Sequence, residues 1–264
     1  MQPNRQVYYV KNLTFSNARN RQMAYRNIDI ILSRINKMRT GYIFTSSDFS
    51  DIVKDPAMLS RAFSSLVKSG KIRKIGKGRF DKPKQTMLGI MPPSVDWMVQ
   101  EFLMDGKRII GYMSGQTAFQ VLGLSTQISS VYTIGSNTYR RAVKRGGYTI
   151  RFVLQPNTIT RANIPLLQVL DAIRFIRQIP ACTPEEACIT LRSIIRDMQP
   201  NERKQLSALA MAYTDYVRAL VGAMLDEIGD TDTATLNQSL NVASTYKIGL
   251  SDNALPNRKN WRIQ

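Results

Sequence analysis

Apolar residues recur at three- and four-residue intervals from Met23 to Arg39, where Ile28, Ile31, Leu32, Ile35 and Met38 form one stripe. That spacing predicts a helix with a single buried face. Residues 43 to 82 follow a denser pattern. Ile43 and Phe44 precede the capping run Thr45-Ser46-Ser47, and a short helix then carries Phe49, Ile52 and Val53 inward. Asp55-Pro56 places an N-cap before a proline at the first helical position, where the missing N–H costs nothing. Leu59, Ala62, Phe63, Leu66 and Val67 then repeat at helical spacing, leaving Met58, Ser60, Arg61, Ser64, Ser65 and Lys68 outside. Gly70 is suited to the left-handed residue after a helix. Lys71 to Ile75 alternates with strand period, Gly76-Lys77-Gly78 turns, and Arg79-Phe80-Asp81 returns. Helix, turn, helix and basic ribbon in that order predict a winged helix-turn-helix over 23–84, preceded by an N-terminal arm over 1–22 that contains Tyr8, Tyr9 and Phe15.

Beyond Pro83 and the Pro92-Pro93 pair a second region begins, with its boundary expected in 83–95. Ser94 is placed to cap a helix carrying Val95, Met98, Val99, Phe102 and Leu103. Val131–Ile134 and Tyr148–Leu154 are β-rich runs. After Pro165 the pattern turns helical: one stripe from Leu166 to Ile176, a second helix opened by Thr183-Pro184-Glu185-Glu186 and running to about Met198, and a third from Glu202 to Ile228. Residues 95–228 thus form a domain that is α/β and then helical. Residues 229–264, rich in Asn, Thr, Ser and Asp, are expected as a loosely structured tail around a segment from Leu236 to Tyr246. The fold class expected for the whole is α+β.

Charge sharpens the picture. The 264 residues carry a net charge of +18, which points to a polyanionic partner or an anionic surface. Residues 1–84 hold eighteen basic and five acidic groups, a net of +13, whereas residues 157–228 hold eight of each. From Arg61 to Lys84 there are nine Lys or Arg and one acid, Asp81. Such a patch gains affinity for a duplex by releasing its counterions. On this reading Ser60, Arg61, Ser64 and Ser65 face base edges in the major groove, while Lys68, Lys71, Arg73, Lys74, Lys77 and Arg79 hold phosphates. The competing reading is a small winged module for protein contacts with a solvated lysine surface. Arg140, Arg141, Lys144 and Arg145 form a second candidate anionic-partner surface, four charges in six residues.

Other chemistry finds little support. The chain has no histidine, so there is no imidazole base and no His-based metal site, and no glycine-rich phosphate loop is present. Two cysteines are too few for a disulfide scaffold or a four-cysteine zinc site. A non-enzymatic, cytoplasmic protein without cofactor, metal or membrane span is expected.

Residues Gly111-Tyr112-Met113-Ser114-Gly115-Gln116-Thr117-Ala118-Phe119-Gln120-Val121-Leu122-Gly123-Leu124-Ser125-Thr126-Gln127, followed by Val131-Tyr132-Thr133 and Arg140-Arg141, together with the winged block, resemble the AbiE-type antitoxin family across roughly 25–155. The resemblance implies a repressor that binds an inverted repeat in its own promoter and counteracts a nucleotidyltransferase-like toxin. A homodimer on double-stranded DNA would match such a repeat. Alternatives are a winged-helix transcriptional regulator without a toxin and a plasmid-type replication initiator or adaptor.

Overall fold

The computed structural model describes residues 28–40, 42–87, 89–91, 95–230 and 233–264. The expected arm over 1–22 and the expected cap Ser94 lie outside these. The fold is mixed α and β, with helices and several small sheets. Two compact units meet at Met98/Val99, C-terminal of the proline-marked boundary expected from the sequence.

In the first unit, helix α1 spans 28–37 and buries Ile31 and Ile35, two members of the predicted stripe. Strand β1 (Ile43–Phe44) leads into a 3-10 turn (Ser46–Phe49), which Thr45 and Asp48 cap reciprocally. Helix α2 (Pro56–Lys68) opens on Asp55, whose carboxylate accepts from the Ala57 N–H at 2.9 Å. It buries Leu59, Ala62, Phe63 and Leu66. Gly70 follows at φ +68°, a conformation that a side chain would strain, and the Lys71 N–H closes onto Leu66 O. Strands β2 (Arg73–Gly76) and β3 (Arg79–Asp81) form an antiparallel hairpin, and β1 adds to β3, giving the order β1-β3-β2. Phe44, Phe49, Phe63 and Phe80 meet at ring-centroid distances of 4.9 to 6.2 Å, so one aromatic cluster joins α2 to the sheet. A short hairpin of β4 (Gln85–Thr86) and β5 (Gly89–Ile90) precedes helix α3 (Val95–Leu103), within which the boundary between the units falls, so that Glu101 and Phe102 belong to the second unit.

The second unit pairs a sheet with a helical layer. After the hairpin β6 (Met104–Asp105) and β7 (Arg108–Ile109) come β8 (Gly111–Ser114), α4 (Gln116–Val121), β9 (Val131–Ser136), β10 (Val143–Arg145) and β11 (Tyr148–Leu154). The sheet order is β10-β11-β9-β8, and β9 and β11 run parallel. Helices α5 (Ile164–Arg174), α6 (Pro184–Asp197), α7 (Pro200–Ala210) and α8 (Asp215–Glu227) follow, then the short α9 (Ala234–Gln238). Helix α5 packs against β8 and α4 as well as against α7 and α8, which makes it the centre of the core.

Two expectations are corrected here. The third helix expected from Glu202 to Ile228 is two helices, broken at 211–214. The break turns Tyr213 inward, where its hydroxyl donates to Asp171 Oδ1 at 3.0 Å, and Arg218 Nη1 caps the Tyr213 carbonyl at 2.7 Å. The tail is not loose. Leu236, Leu240, Ile248, Leu250, Leu255, Trp261 and Ile263 are buried in the second unit's core, and Tyr246 bridges to Ile263. The Trp261 ring lies on Gly222 of α8, where any Cβ would come within 2.0 Å of it.

Candidate functional site

Helix α2 and the β2–β3 hairpin flank a cleft of ≈460 Å³. Ser60, Ser64 and Lys68 line it from the helix, and Lys74 and Gly78 from the hairpin, over a floor that includes Phe63 and Phe80. The structure thus brings four of the predicted nucleic-acid residues around one concavity. Arg61, Ser65, Lys71 and Lys77 lie outside this lining but are exposed. The helical residues face outward because their neighbours Ala62, Phe63 and Leu66 are committed to the core.

Local bonds refine what each group can do. Ser64 donates its hydroxyl to Ser60 O at 2.8 Å, so towards a ligand it is chiefly an acceptor. Arg61 is tethered loosely, with Nε 3.3 Å from Ala57 O and its guanidinium 3.9 Å from Asp55. Its side chain is 78% exposed, which leaves it free to reorient.

Arg73, expected as a phosphate clamp, is engaged internally instead. Its Nε and Nη2 donate to Asp81 at 3.0 and 2.6 Å, and Nη1 donates to Met91 O at 2.9 Å. The cross-strand register sets Arg73 opposite Asp81, and the Asp81 side chain is only 1% exposed. A carboxylate at that depth requires a cation, and Arg73 supplies it in a two-pronged geometry. The only acid between Arg61 and Lys84 is therefore buried and neutralised. Along that stretch Lys68, Lys71, Lys74 and Lys77 remain exposed.

The second predicted basic surface divides in two. Arg141 and Lys144 are exposed, whereas Arg145 is 13% exposed, pairs with Glu101 at 3.0 Å and lies 5.8 Å from the Phe102 ring centroid. Arg140 lies over the same ring at 5.7 Å. Arg145, and in part Arg140, hold the sheet edge to α3 by ion pairing and cation–π contact rather than standing free.

A polar network that sequence reasoning missed lies within the second unit. Asp171 on α5, fully buried, accepts from Tyr112 and Ser114 hydroxyls at 2.6 Å each and from Tyr213 at 3.0 Å. Gln155 Nε2 donates to both tyrosine oxygens, at 2.8 and 2.6 Å. Burial raises the Asp171 carboxyl above the usual carboxylate range, and the three hydroxyls oppose that shift. Burial and then the negative charge of Asp171 push both phenols far up. Each hydroxyl is satisfied and all five residues are buried, so the cluster ties sheet to helices. Its signal in the sequence was an acid at a core position of the stripe Leu166, Leu167, Leu170, Ile173.

Residues 30–199 match a family described as a family of unknown function, DUF6088. The chain belongs to this family. The DUF6088 match begins within α1, takes in the cleft and the sheet, and extends through α6. No curated protein matches the chain. Among solved structures, the RV2827C protein from Mycobacterium tuberculosis is similar at 12% identity, with 83% of each chain covered and a TM-score of 0.49.

Proposed function

We propose that the first unit is a winged helix-turn-helix that binds duplex DNA, with α2 as the reading helix and the β2–β3 hairpin as the wing, and that the chain acts as a transcriptional repressor. The observation that carries this reading is the burial of Asp81 under Arg73, which clears negative charge from a face bearing Lys68, Lys71, Lys74 and Lys77. A lysine surface of that kind, set beside an exposed helix of short polar residues and Arg61, suits phosphate contacts around a major-groove helix. The protein-contact reading would rest on the apolar lining of the cleft, Pro56, Phe63, Val67 and Phe80, whereas the exposed residues of α2 from Ser60 onward are Ser60, Arg61, Ser64, Ser65 and Lys68. Counteraction of a nucleotidyltransferase-like toxin is a further proposal that rests on the sequence resemblance of residues 25–155.

The test is fluorescence anisotropy on the promoter of the chain's own gene and on random duplex, across a salt series. Lys68→Ala/Lys74→Ala should lower the slope of log affinity against log salt by about 2. Arg61→Ala should cost the promoter about 1–3 kcal/mol more than random duplex. Equal slopes for wild type and the double variant would exclude the lysine face as a phosphate surface.

A further inference from the structure

The parallel pair β9 and β11 ends in register, with Leu154 beside Ser136 and the Gln155 N–H donating to Ser136 O at 2.9 Å. Parallel strands send both of their exit loops out at one end, which is where open mixed sheets gather ligands. Here those loops wall a groove of ≈380 Å³, closed on a third side by the β6–β7 hairpin. The volume falls in the range of small-ligand sites.

The walls are held in place before any ligand arrives. Asn137 Nδ2 donates to Gln155 O and Asn157 O, both at 2.7 Å, which ties one loop to the other. Asn163 Nδ2 donates to Thr158 O at 2.7 Å, and Asn163 Oδ1 accepts from the Thr160 N–H at 2.9 Å. Lys107 and Arg108 enter from the hairpin, both exposed and neither in an ion pair with a described residue. Asp105 is the register partner of Arg108 in the hairpin, yet no salt bridge joins them, and among the described residues no acid lines the groove. The hydroxyls of Thr138 and Thr158 donate to no other described residue. The apolar remainder of the wall is Ile109, Ile110 and the buried Ile159.

Two cations outside any ion pair with a described residue and two hydroxyls that donate to none, beside isoleucines, suit a ligand with an anionic head and a less polar body. We infer that this groove binds a nucleoside monophosphate, its phosphate held by Lys107, Arg108 and the threonine hydroxyls and its base against the isoleucines. A phosphomonoester carries close to two charges at neutral pH and offers three acceptor oxygens, which matches this donor set. The inference is independent of DNA binding by the first unit.

Calorimetric titration of the full chain with AMP, CMP, GMP and UMP, with adenosine and inorganic phosphate alongside, tests it. At least one nucleotide should bind more tightly than adenosine or phosphate alone. Lys107→Ala/Arg108→Ala should weaken that nucleotide about tenfold or more, since each lost charged hydrogen bond is of that order. Thr138→Val/Thr158→Val should weaken it about several-fold, by the loss of two neutral donors. Failure of all four nucleotides, or equal binding by the lysine–arginine double variant, overturns the inference. So does a polynucleotide source for the phosphate: duplex binding whose salt slope falls by about 2 in that variant while mononucleotides do not bind.

Discussion

Arg73→Ala separates an internal staple from a DNA contact, because the structure predicts that this substitution acts on folding. Arg73 and Asp81 face each other across β2–β3, joined at 2.6 and 3.0 Å, with Asp81 at 1% exposure and Arg73 at 28%. Removing one partner of a buried pair typically costs about 3–5 kcal/mol, because the remaining charge stays desolvated. The partial exposure of Arg73 points to the low end, about 3 kcal/mol, a change of about two orders of magnitude in the unfolding constant. Loss of the bond from Nη1 to Met91 O at 2.9 Å adds to it. Replacing both partners by apolar groups, Arg73→Met/Asp81→Leu, should recover most of the loss, since neither charge is then stranded. The assay is urea unfolding followed by tryptophan emission. Trp97 packs edge-on to Tyr42 in the first unit and Trp261 is buried in the second, so only the first unit's transition should move. On DNA, Arg73→Ala should leave the salt slope unchanged at temperatures where the first unit is folded. A cost below about 1 kcal/mol, typical of exposed pairs, or a double variant as weak as the single one, would refute the buried-staple argument.

Three further outcomes are expected. Gly222→Ala should displace the Trp261 ring from α8 and cost about 1–3 kcal/mol, read as a lowered melting temperature with red-shifted Trp261 emission. Asp171→Asn removes the buried charge, yet it should destabilise the second unit by about 1–3 kcal/mol in chemical denaturation, because an amide NH2 then faces hydroxyls that need an acceptor. Bonds from the Thr183 backbone N–H and then its hydroxyl hold Glu186 below its ordinary range, so the stability it contributes is present above that range and lost as pH falls through the lowered value. Glu186→Gln should flatten this acid limb in a pH series of melting temperatures, and an unchanged limb would show that the capping box does not couple to folding.

What the sequence determined by itself is local. The stripe of Leu59, Ala62, Phe63 and Leu66, the Asp55-Pro56 start, Gly70 after α2 and the capping box at Thr183 all act within a turn or two, so their spacing carries the information. The outward set of Ser60, Arg61, Ser64, Ser65 and Lys68 followed directly, because a face that is not buried is exposed. Tertiary structure decided whatever depends on a partner distant in the chain. Composition counts Arg73 among the clamps, and only the strand register sets it against a buried Asp81. One hydrophobic period runs through residues 202–228, and the folded chain breaks it at 211–214, where Tyr213 turns inward to Asp171. Among the aperiodic residues of 233–264, Trp261 lies on α8 because Gly222 leaves a space for it, and Lys107, Arg108, Thr138 and Thr158, up to 51 positions apart by number, share a groove because β9 and β11 end together. Charge neutralisation, buried hydrogen bonds and volume filling act through space, and a one-dimensional pattern holds no record of which groups they join.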